Sequence, residues 1–295
     1  MGLTIYNNIP ALSVANNLSQ HYSSLQTSTQ RLSSGLRINS AADDAAGLAI
    51  RELMRADISA MKQGVRNAND AISLIQTADG ALGVIDEKLV RMKELAEQAA
   101  TGTYDSTQRL MIESEYQAMA SEITRIANAT NFNSVKLLDG SLSGNHVGSG
   151  LQSKGKMKIH FGPNNSSAED YYYIDIGNST ASALGIGNSG SASRAGYTIS
   201  TQSAAQHALN AINTAIISKD KIRASLGALQ NRLQNTVSNL TIQAENLQAA
   251  ESRISDVDVA TEMTTFVRNQ ILTQAAVSML AQANSLPRMA LNLIG

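Results

Sequence analysis

ANDAISLIQTADGALGVIDEKLVRMKELAEQA, residues 68–99, decides the fold class. Ala68, Ala71, Ile75, Ala78, Leu82, Ile85, Leu89, Met92, Ala96 and Ala99 follow one another at steps of three and four residues. All are apolar, and most positions between them are polar or charged. An unbroken 3-4 pattern lays one apolar stripe along a long α-helix and marks coiled-coil-like packing. Such a helix must bury its stripe, so the rest of the chain has to supply helices with matching seams.

It does so on both sides. Thr101-Gly102-Thr103 interrupts the pattern, and Asp105 with Gln108 forms a capping box for a further helix. Its seam is Ile112, Tyr116, Met119, Ile123 and Ile126. Later in the chain Leu226, Leu229, Leu233, Thr236, Leu240, Gln243, Leu247, Ala250 and Ile254 repeat the spacing. A last helix carries Met263, Phe266, Val267 and Ile271 and runs towards Leu280, less regularly. Near the start, Ala11, Ala15, Leu18, Tyr22, Leu25, Thr29 and Leu32 step 4-3-4-3-4-3.

Between the two helical halves the composition changes. More than half of the 20 glycines fall between Gly140 and Gly196, among many Ser and Asn. Met157 to Phe161 alternates as a strand, Gly162-Pro163-Asn164-Asn165 signals a turn, and Tyr171 to Ile176 reads as a second strand. Residues 178–196 read as loop. The three prolines, Pro10, Pro163 and Pro287, leave room for long helices. The expected fold is mainly α: a long antiparallel coiled-coil-like helical bundle built from both chain ends, with a small β-hairpin region in the middle.

The ends differ from the helices inside them in charge. Residues 1–30 contain no Asp, Glu, Lys or Arg, and 269–295 contain only Arg288. A free surface helix keeps charge on its wet face. Helices that are apolar on one side and neutral-polar on the other suit packing against copies of themselves, which points to assembly and not to an enzyme. They are expected to order when neighbours arrive.

The net charge of −1 offers no basic field for nucleic acid or a membrane surface. Three Phe, eight Tyr and no Trp are few for stacking platforms, and the lack of cysteine excludes disulfides and thiolate chemistry. The N-terminus lacks a secretory signal pattern, and Tyr6 breaks the myristoylation pattern. No run approaches 18 apolar residues, so no membrane insertion is expected.

The segment RLSSGLRINSAADDAAGLAI at 31–50 resembles the N-terminal signature of bacterial flagellins. The resemblance continues through 66–100, through Thr130-Asn131-Phe132-Asn133, and through 225–286 with LGALQNRL, AAESRISDVDVATEM, NQILTQA and MLAQANSLP. It implies a secreted subunit that self-polymerises into the extracellular flagellar filament and is exported unfolded by the flagellar type III system. Its partners would be itself, an export chaperone, and cap and junction proteins. It implies an inner core from 1–43 and 256–295, an outer core from 44–140 and 200–255, and a short variable region at 141–199. A hook-associated junction protein of the same superfamily is the alternative reading.

The signature segment also has a local physical reading. Gly35 and Gly47 permit bends or close approach. Ser40 with Asp43 is placed to cap a helix entering at Ala45, and Asp43 and Asp44 suit its dipole.

The candidate sites follow from these readings. Leu18, Leu25, Leu32, Met263, Phe266, Val267 and Ile271 are the expected assembly residues. Flagellins recognised by the host innate receptor TLR5 present an Arg, a Leu and a Glu from the outer core, which the resemblance maps to Arg91, Leu95 and Glu115. Arg91 and Leu95 are i,i+4 neighbours, and Glu115 sits on the following antiparallel helix.

Ser166, Ser167, Ser179 and Thr180 are candidate exposed O-glycosylation sites. Asn-x-Ser/Thr triplets open at Asn17, Asn128, Asn164, Asn165, Asn178 and Asn239, three of them in predicted helices. His21, His146, His160 and His207 show no ligand spacing. The pairs Asp43/Asp44 and Asp256/Asp258 read as caps and solvated surface, and the methionines as packing. No cofactor, metal or catalytic residue is expected.

Overall fold

The structure is a computed structural model and describes residues 7–145, 155–167, 169–186 and 197–294. Five helices dominate: α1 (Ile9–Ser34), α2 (Ala45–Ala100), α3 (Ser106–Ala129), α4 (Gln202–Ser255) and α5 (Val259–Ile294). Four short strands lie between α3 and α4: β1 (Asn131–Phe132), β2 (Val135–Lys136), β3 (Met157–His160) and β4 (Tyr171–Ile174). They form two antiparallel pairs, β1 with β2 and β3 with β4. The chain divides into two compact units, Met1–Ile58 with Glu245–Gly295, and Ser59–Ala244. The divisions fall inside α2 and α4, whereas the boundaries expected at 43/44 and 255/256 stand just outside those helices.

The larger unit is built on the seam at 68–99. Each of its seam residues is buried. Leu74 and Leu95 are buried too and widen the stripe. α3 runs antiparallel beside it, opened by the Asp105–Gln108 capping box and burying Tyr116, Ala120, Ile123 and Ala127.

The seam of α4 starts earlier than its leucines suggest. Ala205, Ala208, Ile212 and Ala215 are buried at the same 3-4 spacing, ahead of Leu226, Leu233 and Leu240. Alanine carries the pattern there because it packs closely and scores weakly as a hydrophobe. Lys219 takes a seam position and is 1% exposed. A buried ammonium requires an anionic partner; its Nζ bonds Asp86 on α2 and Asp220 at 2.8 Å. One turn on, Arg223 Nε donates to Asp79 at 2.7 Å.

The middle of the chain belongs to this core. The β3–β4 register pairs Met157 with Ile174 and Ile159 with Tyr172, and these side chains pack on the helices. Phe161, Ile176, Ala181, Leu184, Ile186, Tyr197 and Ile199 are all buried. Residues 178–186, expected as plain loop, are therefore turns pinned by apolar anchors; 187–196 lie outside the described residues. Two chain segments meet at Gly64 of α2. A Cβ there would stand 1.9 Å from the Phe161 carbonyl oxygen, and Asn67 Nδ2 donates to the His160 carbonyl at 2.9 Å. The β1–β2 pair was not expected. Asn133 and Ser134 both have positive φ, 48° and 67°, as a tight two-residue hairpin turn requires.

In the smaller unit α1 is capped by Asn8, whose Oδ1 accepts from the Ala11 amide, and ends at Gly35 with φ +72°. The segments after α1 and before α5 then pair: the Arg37 amide donates to Ser255 and the Val257 amide to Gly35. Arg37 adds a guanidinium bond to the Ile254 carbonyl at 2.6 Å. Ser40 and Asp43 do not cap α2, contrary to expectation. Asp43 accepts from the Asn39 and Ser40 amides and closes a turn. Asp44 is the cap, accepting from the Gly47 amide at 2.9 Å. Gly47 leaves room for the capping carboxylate: a Cβ there would meet Asp44 Oδ2 at 2.4 Å and Ile38 Cδ1 at 2.8 Å, and both side chains would have to move.

Candidate assembly surface

α1 and α5 pack as an antiparallel pair. Asn8 Nδ2 reaches the Ala283 carbonyl at one end, and Arg31 faces Glu262 at 3.8 Å near the other. The half-buried or buried positions on α1 are Ala11, Val14, Ala15, Leu18, His21, Leu25, Thr27, Ser28, Arg31 and Leu32. On α5, as far as Ser285, they are Glu262, Thr265, Phe266, Asn269, Thr273, Ala276, Leu280, Ala283 and Ser285. Leu18, Leu25, Leu32 and Phe266 thus lie between the two helices. Tyr22 and Thr29 do not; both are exposed, and His21 and Ser28 hold the seam beside them. Small and polar residues carry much of this seam, so apolar spacing alone misplaces it.

The other three expected assembly residues point outward. Met263, Val267 and Ile271 continue from Val259 at four-residue steps, and the four are 57%, 44%, 43% and 59% exposed in chain order. On α1, Ile9, Leu12 and Tyr22 are exposed. Tyr22, Leu25, Gln26, Thr29, Gln30 and Ser33 line a shallow groove along α1. Exposed apolar side chains concentrated on charge-poor helices mark an interaction surface.

α5 opens on Asp258, which accepts from the Ala260 amide at 3.0 Å and the Thr261 hydroxyl at 2.7 Å. Those bonds, the Thr261 hydroxyl first, hold its pKa below the ordinary aspartate value. The Ser40 and Asn39 amides do the same for Asp43. Asp256 accepts from the Ser252 and Ser255 hydroxyls. These carboxylates serve caps and turns.

In the larger unit, Arg91 and Glu115 meet. The Arg91 Nε and NH2 groups donate to one Glu115 oxygen at 2.9 and 2.8 Å, and NH1 donates to Glu94 at 2.9 Å. Glu115, then Glu94, raises the Arg91 pKa above its usual value. Leu95 does not join them at the surface. It is 1% exposed and belongs to the core, because the apolar stripe of α2 is wider than the 3-4 seam alone. Glu94, next to it in sequence, is the third surface member.

Ser166 and Ser167 are exposed, Thr180 is half-buried, and Ser179 is fully buried. Ser179 therefore does not stand out as an exposed acceptor; its amide bonds the Leu138 carbonyl at 2.9 Å, which draws it inward. Among the described residues no three His, Cys, Asp or Glu gather as metal ligands; His146 lies outside them. No described helix is long and apolar enough to cross a membrane.

Known proteins match both helical halves. The family profile for the bacterial flagellin N-terminal helical region covers residues 5–143, and that for the C-terminal helical region covers 209–294. The flagellin of Bacillus subtilis is 42% identical over 99% of this chain and 100% of its own length. Flagellin FlaB2 of Treponema pallidum is 39% identical over the same shares. A putative flagellar hook-associated protein from Vibrio parahaemolyticus shares the fold, with a TM-score of 0.54 over 72% of this chain and 100% of that one, at 14% identity. The paired terminal helices, the buried α2 seam and these full-length matches lead to one conclusion: the chain belongs to the bacterial flagellin family.

Proposed function

We propose that this chain is the self-polymerising structural subunit of a flagellar filament, joined to its neighbours through the outer faces of α1 and α5. The observation that carries this reading is the exposed Val259, Met263, Val267 and Ile271 stripe on a helix pair almost free of charge. In a lone chain those side chains meet water. They are already about half buried, so covering the rest with other copies contributes roughly 1 kcal/mol each, about half the worth of full burial. The filament reading is favoured over a junction protein by the relatives' descriptions as flagellins.

The chain leaves the cell unfolded through the flagellar type III route, with α5 held by a chaperone that shields its stripe until assembly. Cap and junction proteins then receive the same surface. Secretion that persists in a strain lacking the flagellar export gate would refute this route. The monomer is recognised by TLR5 through Arg91 and Glu115, with Leu95 supporting α2 from beneath.

The assembly test is seeded polymerisation watched by electron microscopy. Full-length protein forms filaments. Protein lacking 1–30 or 269–295 does not, while 68–126 and 205–254 stay folded on their own seams. Filaments from either truncated protein would overturn the assignment of the ends.

A further inference from the structure

A proline inside a helix lacks the amide that would bond the carbonyl four residues earlier, and its ring crowds that carbonyl. Pro287 lies inside α5, which continues to Ile294. The carbonyl it deprives is that of Ala283, a buried residue, where an unpaired acceptor is costly. The oxygen has found a donor: Asn8 Nδ2 bonds it at 2.9 Å. The same side chain uses its Oδ1 to accept from the Ala11 amide at 3.1 Å and cap α1. The neighbouring Gln282 carbonyl takes the Ser285 hydroxyl at 2.8 Å. One asparagine thus closes two helix defects at once, the open start of α1 and the gap made by Pro287.

We propose that Asn8 stands in for the amide Pro287 lacks, so that α5 is completed only when α1 lies against it. The inference deepens the assembly reading and rests on it. A C-terminal helix without α1 has no donor for Ala283, and the turns beyond Pro287 fray. Docking of α1 supplies the donor, and in return Ala283 orients the side chain that caps α1. The two ends of the chain then order as one event, and a subunit engages its neighbours with both ends or with neither. Asparagine is the residue this needs, because one end of its amide accepts and the other donates.

The chemistry gives a direct test in the full-length chain. Asn8→Asp keeps the capping oxygen and loses the donor. Asn8→Ser also caps but is too short to reach Ala283. Pro287→Ala restores an amide at position 287 and makes Asn8 redundant there. The readouts are the critical concentration for polymerisation and the hydrogen exchange of amides 284–294.

With Pro287 present, Asn8→Asp and Asn8→Ser raise the critical concentration about two- to tenfold, the worth of one net hydrogen bond. Both variants also speed exchange beyond residue 284. With Pro287→Ala, the same changes shift either readout less than about twofold. Equal losses in the two backgrounds overturn the coupling. If the wild-type chain does not polymerise, the assembly reading fails, and exchange in the monomer still decides whether Asn8 and Pro287 are linked.

Discussion

Gly64, Gly80 and Gly83 lie on the same helix, and the same substitution should have opposite signs among them. Glycine in a helix interior is about 0.8–1.0 kcal/mol less favourable than alanine. Nothing lies within 4 Å of a Cβ built at Gly80 or Gly83. Gly80→Ala and Gly83→Ala should therefore each stabilise the protein by up to about 1 kcal/mol. At Gly64 the new Cβ would stand 1.9 Å from the Phe161 oxygen and 2.7 Å from its carbonyl carbon. These are backbone atoms and cannot rotate away, so the segment after β3 must retreat by roughly 1.5 Å to reach ordinary contact.

The retreat strains the Asn67–His160 hydrogen bond, a net ~0.5–1.5 kcal/mol. It also disturbs packing around buried Phe161, and overpacking of a core costs about 1–3 kcal/mol. Subtracting the helix-propensity gain leaves Gly64→Ala destabilising by about 1–3 kcal/mol. For a folding unit of this size that lowers the melting temperature by roughly 2–4 °C per kcal/mol. Thermal and urea unfolding of monomeric protein, followed by helix signal, compares the three variants under one condition. A Gly64→Ala protein that melts as high as Gly80→Ala would show that the end of β3 does not rest on α2, and the placement of the middle segment in this core would fall.

Leu89→Ala removes a fully buried side chain at the centre of the α2 seam and should cost ~2–5 kcal/mol in urea unfolding of the monomer; a loss under ~0.5 kcal/mol would place Leu89 on a surface. Asp43 and Asp258 titrate below their unfolded value of 3.8, so the stability they give is complete above that pH and is lost as pH falls through their lower folded values. Asp258→Ala should therefore lower the unfolding midpoint at pH 7 and make little difference near pH 2, and an equal effect at both would rule out the carboxylate as the cause. Arg91→Ala should weaken signalling by monomer in TLR5-expressing cells, with intact filaments weak in either form; equal signalling by wild-type and mutant monomers would end that assignment.

Much of the larger unit was legible because its pattern is strong at every level. The α2 stripe is apolar at every step, the Asp105–Gln108 box is a local signal, and Met157 to Phe161 alternates as a strand should. What escaped reading follows physical lines. The first half of the α4 seam is mostly alanine with a lysine at its end, so its hydrophobic signal is faint although its burial is complete. Leu95 looked like a surface partner of Arg91 because i,i+4 spacing places two residues on one face without saying how wide the buried arc is. Ser179 sits in a Ser/Gly/Asn-rich stretch whose composition reads as loop, yet Ile176, Ala181, Leu184 and Ile186 anchor it inside.

The two kinds of seam in this chain explain why one part can fold alone and the other asks for neighbours. Along 68–99 every seam position is apolar and buried, and the partners on α3, α4 and the middle segment come from the same unit. Between α1 and α5 the seam mixes half-buried Leu18, Leu25, Leu32 and Phe266 with Ser28, Asn269, Thr273 and Ala276, and Ser28 is the only residue of α1 that is fully buried. Small residues let two helices approach but bury little apolar area, and the burial term scales with that area. The larger side chains of the pair, among them Leu12, Tyr22, Met263 and Ile271, remain exposed. A helix pair whose inner seam is weak and whose outer face is apolar reaches full stability only when further copies cover it. On the proposed assembly reading, folding then rests with residues 59–244 and polymerisation with the two ends, and single polar contacts, such as Asn8 to Ala283, decide when the ends are ready.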